Sequence, residues 1–509
     1  MESPHSVRWL PRIALAAICL VGAGLRLWQA GESLWIDELH TAWCALGELR
    51  EVAPRAALGN QSPLFFWLEW LLVRLLGPSE FTVRLPSLVA GSLLPLALFG
   101  LVVRWTKSPW LGVLSAALCA IDRFQIFYAT EARPYTLIEL LAVVHIGIVA
   151  ELATSPASRK LRIAFILGAA LLFYLHYTAA LLVVAEVVYL VCTAIAAPGE
   201  RSPRWRIGML ALDLALVGLL ILPAASNLLA IYARRDNWAA FVEQRSVWTI
   251  FTHLPWGWAC VMFIAGVVAH RWLRRTALPQ PALLAVLWLL VPVSLAWFFT
   301  ATDAARLYFP RYLVASAPAA IVLICLTLHL IPWPRIQVAS ASLLLVYALV
   351  SSQIIEQLRW DGRVIGDRNE DWRGAIAYLN QQFEADPHPV LLSSGLIEAN
   401  HWIDSFASDQ RDYCLYPLRS LYPVTKDAAP SLLPRDESLI NRIDDLLDKH
   451  KTIYVVRRGI AYALLENGMY ESKIPNRSWP RVPWRIEQVE TFGSVQVVRL
   501  TTPTNHAAK

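Results

Sequence analysis

Apolar runs of roughly 20 residues recur along this chain, and their recurrence sets its fold class before any motif is read. They begin near Pro11, Phe81, Pro109, Pro134, Arg162, Thr178, Ile207, Leu254, Pro281, Tyr312 and Ile336. Each is long enough, as a helix rising about 1.5 Å per residue, to cross a hydrocarbon layer of about 30 Å. Of 509 residues 56% are hydrophobic and only 17% charged, with a mean hydropathy of +0.45. A water-soluble chain of this length has no interior that could hide so much apolar surface. The expected class is therefore a polytopic α-helical membrane protein with about eleven transmembrane helices. The first run follows Arg8 and Arg12 as a secretory signal would, but ends in Leu25-Arg26-Leu27-Trp28. Without a small-x-small cleavage site there, it reads as a retained first span.

Charge fixes the expected orientation. Alternate connections carry Arg8 and Arg12; Arg104 and Lys107; Arg159, Lys160 and Arg162; Arg201, Arg204 and Arg206; Arg271, Arg274 and Arg275; and Arg335. All fall on one side, which the positive-inside rule makes cytoplasmic. The expected topology is N-terminus in and C-terminal region out, in the cell (inner or plasma) membrane. The opposite side receives residues 31–80, 128–133, 176–177, 226–253 and 300–311, and everything after about 352. Within the first of these, "SPLFFWLEWLLVRLLG" is short for a span and carries Glu69 and Arg74. It is expected to lie along the interface, because a span there would invert every later loop.

After Ser352 charges become frequent. Strand-like runs ("TIYVVRRG", "SVQVVRL") alternate with helix-like ones ("DWRGAIAYLNQQF", "ESLINRIDDLLDKH"). That pattern predicts an extracytoplasmic α/β domain over 353–509, about 150 residues, following a transmembrane domain over 1–352. Only Cys44 and Cys414 of the seven cysteines lie outside the apolar runs, and no spacing pattern pairs them. Zinc spacings, a phosphate-binding glycine loop and a dinucleotide fingerprint are all missing, and nothing points to nucleic acid.

Ionisable groups are costly in the bilayer, so their placement carries information. Here they gather at the outer mouths of the spans: Asp37 and Glu38, Glu131 and Arg133, His176, Arg306 and Arg311. "SLWIDELHT" offers two adjacent acids. They suit either a solvated helix start or a site in which one acts as a base and its neighbour positions. In "FYATEARPYT" Glu131 and Arg133 form a surface pair, or else hold an acceptor hydroxyl or metal and a phosphate. His176 in "LFYLHYTAA" is either interfacial packing or chemistry. Arg311 in "LYFPRYL" either snorkels to headgroups or grips phosphate with its two-pronged fork. Asp122, Glu139, Glu186, Asp213 and Asn227 are expected mainly to form hydrogen bonds between helices.

With these motifs in order, the chain resembles the GT-C integral membrane glycosyltransferases. It is similar in particular to the protein O-mannosyltransferase-like branch and to bacterial lipid A aminoarabinose and galacturonosyl transferases. The resemblance covers roughly residues 11–352. It runs through Asp37-Glu38, "QSPLFFWLEWLLVRLLGPSEFTVRLPSLVAGSL", "EARPY", His176-Tyr177 and "PRYL". Where members usually carry His-Pro-Pro, this chain has Gln61-Ser62-Pro63, so its local contacts to sugar or phosphate differ. The resemblance implies transfer of a sugar from a polyprenyl-phosphate carrier to a lipid, glycan or protein acceptor on the outer face. It implies Asp37 as base, Glu38 at the acceptor site and Glu131 as second acid. Arg311 would bind the carrier phosphate, assisted by Arg133 and His176.

The residue types suit that chemistry unaided. A sugar phosphate brings its own leaving group, so what is needed is a base for the acceptor and cations for the departing phosphate. The carboxylates can also bind a divalent cation, though no spacing requires one. A lipid-linked glycan flippase and a non-catalytic envelope assembly factor are the competing readings. The clustering of charge at one face rather than at the bilayer midplane favours the enzyme over the flippase.

Overall fold

The computed structural model describes residues 9–502 apart from 197–201, 239–241, 243–244, 253–256, 275–280, 367, 384–387, 403–406, 426–427, 429, 434–437 and 459–483. Arg8, Arg201, Arg275 and the expected span start at Leu254 lie outside the described residues.

The described chain is mostly helical. Among the described residues seven helices are long and apolar enough to cross a membrane: Leu10–Leu27, Glu80–Thr106, Tyr135–Thr154, Tyr177–Ala196, Pro203–Ala233, Pro281–Ala301 and Pro334–Asp361. An eighth forms if Pro109–Ile121 and Arg123–Ala129, bent by 63° at Asp122, count as one. At the other expected positions stand Arg159–Leu175, Gly257–Arg274 and Ala317–Leu330. The chain is thus a multi-pass membrane protein. Its helices begin as their sequences direct. Ser108, Ser158 and Ser202 each cap a first turn with the side-chain oxygen, and Pro109 and Pro203 follow at the first helical position. Outward-facing apolar residues such as Leu343, Val346, Tyr347 and Val350 are exposed, as lipid-facing positions should be.

The chain divides into two compact units, which differ from the compositional boundary at 352/353. The first comprises Met1–Ala30, Asn60–Phe65 and Arg84–Ile365. The second comprises Gly31–Gly59, Phe66–Val83 and Gly366–Lys509.

In the first unit one apolar core runs through the bundle, with Trp288 fully buried and its indole N–H donating to the Ala315 carbonyl at 2.7 Å. Several polar side chains in this core find a partner on a neighbouring helix. Glu139 accepts from Gln125 at 3.0 Å, His145 meets Glu186 at 2.8 Å, and Arg162 meets Asp213 at 2.6 Å. Asn227 donates to the Tyr177 hydroxyl at 2.8 Å. Asp122 departs from the expectation: it caps its own helix, accepting from the Gln125 amide at 2.9 Å.

In the second unit a five-stranded sheet has the order β2-β1-β3-β5-β4. The strands are β1 (Val390–Ser393), β2 (Ser431–Leu432), β3 (Thr452–Arg458), β4 (Arg485–Phe492) and β5 (Val495–Thr501). β1 pairs in parallel with β2 and β3, while β5 pairs antiparallel with β3 and β4. Residues 453–456 of β3 are apolar without alternation because it is a central strand buried on both faces. Ile443 and Leu447 of the helix Ser438–His450 complete the core over β1, β3 and β5. The β4–β5 turn places Gly493 at φ +62°, where a side chain would also collide with the Asn369 carbonyl. Cys44 and Cys414 are both buried and neither forms a disulfide, and the Cys44 sulfur lies 3.5 Å from His40 Nε2.

Candidate active site

The expected site residues fall into both units, and each unit organises its own set.

In the first unit, "TEARP" is the turn between Arg123–Ala129 and Tyr135–Thr154. Thr130 closes the preceding helix, and Pro134 takes the N-cap of the next, where its missing N–H costs nothing. Ser87 fastens the turn by donating to the Arg133 carbonyl at 2.7 Å, and Thr136 donates back to the Ser87 carbonyl at 3.0 Å. Glu131 and Arg133 are held there at 1% and 5% exposure, so neither belongs to a solvated surface pair.

His176 occupies the C-cap of Arg159–Leu175 in extended conformation, in the connection before Tyr177. Its Nδ1 lies 2.8 Å from the Thr178 hydroxyl, which itself donates to the Tyr312 carbonyl at 3.0 Å. With that hydroxyl proton committed, Nδ1–H is the donor and Nε2 is left as an acceptor. A weaker 3.4 Å approach of the Thr178 amide to Nδ1 belongs to the other tautomer. Burial, and then the charges of Arg311 and Arg133, push the imidazole down to about 3. It is therefore neutral at physiological pH. Arg311 sits in the single turn Pro310–Tyr312, its guanidinium 5.1 Å from the Phe309 ring centre and 5.6 Å from that of Tyr312. The rings of Tyr312 and Tyr135 flank His176 at 5.6 and 6.3 Å. The three expected phosphate-binding residues, Arg133, His176 and Arg311, thus interact electrostatically.

In the second unit, Asp37 and Glu38 open the helix Ile36–Leu46 and face different surroundings. Glu38 is fully buried and turns back to accept from the Trp35 amide at 3.2 Å, while Asp37 is partly exposed. The two acids of the first turn therefore differ in burial and in hydrogen bonding.

Several residues that the sequence did not flag set the position of that turn. Glu370 accepts from the Ile36 amide at 3.0 Å, from the Trp372 indole at 2.8 Å and from Arg458 at 2.6 Å. Tyr416 donates to the Ile36 carbonyl at 3.0 Å. Glu80 accepts from Tyr422 at 3.0 Å and from Arg373 at 2.8 Å, and the Tyr422 oxygen in turn accepts from the Leu34 amide at 3.0 Å. His40, by contrast, packs among Trp43, Phe66, Tyr413 and Tyr416. Glu69 is fully buried with neither carboxylate oxygen hydrogen-bonded. Burial and then the charge of Glu38 hold its carboxyl well above the usual range.

Among the described residues, no group of three or more His, Cys, Asp or Glu side chains is arranged to hold a metal ion. What the arrangement offers is a carboxylate at a clamped helix start in one unit, and a neutral imidazole that feels the charges of two arginines in the other.

This fold is similar to that of the GT-C integral membrane glycosyltransferases. Residues 60–225 match the family model described as dolichyl-phosphate-mannose-protein mannosyltransferase. Among solved structures, ArnT from Cupriavidus metallidurans in the apo state is similar over 97% of this chain and 98% of that chain, at 13% identity and a TM-score of 0.57. The same protein bound to undecaprenyl phosphate is similar over 96% of this chain and 97% of that chain, at 15% identity and a TM-score of 0.55. The apo oligosaccharyltransferase of Archaeoglobus fulgidus is similar over 90% of this chain and 70% of that chain, at 13% identity and a TM-score of 0.50. At such identities the likeness is one of fold. No curated protein matches by sequence.

Proposed function

We propose that this protein transfers a sugar from a polyprenyl-phosphate carrier to an acceptor on the outer face of the inner or plasma membrane. In this reading Asp37 takes the proton of the acceptor hydroxyl. The oxygen attacks the anomeric carbon from the face opposite the phosphate, the bond from that carbon to the phosphate oxygen breaks, and the configuration inverts. Glu38 positions the helix that carries Asp37, and Glu131 acts as the second acid. Arg311 and Arg133 take up the charge growing on the departing phosphate. His176, being neutral, accepts a hydrogen bond at Nε2.

One observation carries the reading: burial first, and then the charges of Arg311 and Arg133, lower the His176 imidazole to about 3, so that it stays neutral near pH 7 within reach of both cations. A pair of cations beside an acceptor that adds no charge is what a sugar phosphate requires. The polyprenyl nature of the carrier is supported by the ArnT structure with undecaprenyl phosphate, which shares this fold. The transmembrane domain over 1–352 would form the carrier groove, and the domain over 353–509 would serve the acceptor side.

Reconstitution with a polyprenyl-phosphate sugar tests the assignment. Asp37→Asn should lower transfer by about 10²-fold or more while carrier binding persists. Parental turnover in that variant would refute the enzyme and leave a flippase or a binding factor.

A further inference from the structure

At the end of the bundle that carries the basic connections, four helices of the first unit enclose a cleft that the proposed reaction does not use. It lies between the last turns of Tyr135–Thr154 and Ala180–Ala196 and the first turns of Arg159–Leu175 and Pro203–Ile221. Its empty space is about 380 Å³, counted to its open mouth. Arg162, Arg206, Asp213 and Thr193 supply the polar lining, and Leu190 and Leu210 part of the apolar lining.

The cations there are only partly used. Arg162 is 7% exposed and gives one terminal nitrogen, Nη2, to Asp213 at 2.6 Å and to the Met209 carbonyl at 3.0 Å. Its other terminal nitrogen, Nη1, is buried without a hydrogen bond, and so is Nε of Arg206. Two guanidiniums against one carboxylate leave a net positive cleft. A buried N–H with no acceptor is costly enough that a native structure normally supplies one. Arg159, Lys160 and Arg204 flank the same helix starts in sequence and deepen the positive potential.

We propose that this cleft binds a phosphate group, and specifically the phosphate of an anionic phospholipid. The lipid is favoured over a free anion by what adjoins the polar lining. Ile163, Ile195 and Ile207, each next in sequence to a lining residue, are exposed. They provide apolar surface where acyl chains would continue from the headgroup. The basic character of this end makes it the cytoplasmic one, where anionic headgroups settle in basic pockets between helices. The bound lipid would bridge Arg162 and Arg206 and tie together the ends of four helices.

The full chain, delipidated in detergent, tests this through native mass spectrometry and thermal unfolding. The probes are phosphatidylglycerol, phosphatidylcholine and inorganic phosphate. Phosphatidylglycerol is expected to bind in preference to phosphatidylcholine and to raise the unfolding temperature. Arg206→Gln should weaken that binding by about 10–100-fold, the worth of a charge-assisted hydrogen bond. Arg162→Gln with Asp213→Asn, which replaces the buried ion pair by a neutral one, should do the same. Should the double variant fail to fold, the partly exposed Arg206 decides alone. Equal binding of the two lipids, or an Arg206→Gln protein that keeps parental affinity, overturns the site. Equal protection by inorganic phosphate alone overturns the lipid as the source of the phosphate.

Discussion

Glu370 accepts the Ile36 amide at 3.0 Å, and so an acid 334 positions away holds the start of the helix that carries Asp37. The same carboxylate ties Arg458 and Trp372. It therefore links the helix start to the end of β3 and to the first turn of Trp372–Gln382. Glu370→Ala leaves a backbone N–H and a guanidinium without their acceptor, at a cost of about 1–3 kcal/mol. Thermal unfolding should show that loss, and transfer should fall because Asp37 is no longer fixed. Glu370→Gln keeps an acceptor for Ile36 and should recover most of the stability. If both variants unfold and turn over as the parent does, the clamp has no role.

This clamp also shows where the sequence stops being readable. The membrane class and the segments "TIYVVRRG", "SVQVVRL", "DWRGAIAYLNQQF" and "ESLINRIDDLLDKH" were legible, because hydrophobic period and length are local signals. The candidate acids and arginines stood out as well, since a charge beside an apolar run is conspicuous. Glu370, Tyr416, Tyr422 and Glu80 were not legible. Each acts through a partner that its own neighbours in sequence do not encode, and an exposed-looking Glu-Asp-Trp reads as an ordinary helix start. The short strands β1 and β2 gave no pattern long enough to separate from loop. The burial of Glu69 was hidden because a single acid in an apolar helix looks like a surface residue until its face is known.

Glu69 should make the protein sensitive to alkali. Its folded carboxyl is raised well above the ordinary value of 4.5. Between those two values the folded state holds a proton that the unfolded state has released. Stability from this group is therefore full below 4.5 and declines as pH rises through the folded value. Glu69→Gln, a neutral mimic of the protonated acid, should unfold at a higher temperature than the parent at neutral and alkaline pH, with the gap closing in acid. A gap that stays constant with pH would contradict this.

His176 carries the opposite dependence. Its folded imidazole is lowered from 6.5 to about 3, so between those values the unfolded state binds the extra proton. The parent should therefore lose stability as pH falls from 6.5 toward 3, and His176→Asn should lose less. Unfolding temperatures across that range provide the comparison. Because the ring stays neutral near pH 7, the rate profile from pH 6 to 8 should carry no titration of His176. An inflection there that vanishes in His176→Asn would show the histidine to be charged.

Gly168 reports on the His145–Glu186 pair. His145 is fully buried, with Nδ1 2.8 Å from Glu186 and Nε2 3.0 Å from the Phe165 carbonyl, so its ring is held at both nitrogens. A methyl at Gly168 would run into that ring, which cannot swing away without breaking a buried contact. Gly168→Ala should destabilise by about 1–3 kcal/mol. Gly208, which has open space around its Cβ position, is the control. Gly208→Ala should be neutral or slightly stabilising, because alanine favours the helix. Equal unfolding temperatures for the two variants would mean that the His145 ring is free to move.

Arg311 separates charge from geometry. The faces of Phe309 and Tyr312 lie against its guanidinium, so the fork is oriented by its own neighbours. Lysine keeps the charge but has neither the fork nor the stacking. Arg311→Gln should lower kcat/KM for a polyprenyl-phosphate sugar by about 10²–10³, the effect of removing a donor to charge that develops in the transition state. Arg311→Lys should fall between that variant and the parent. The loss should appear in kcat, since the charge on the phosphate grows only as the sugar departs. A defect confined to KM would instead make Arg311 an anchor for the carrier in its resting state, and the burden of stabilising the leaving group would pass to Arg133.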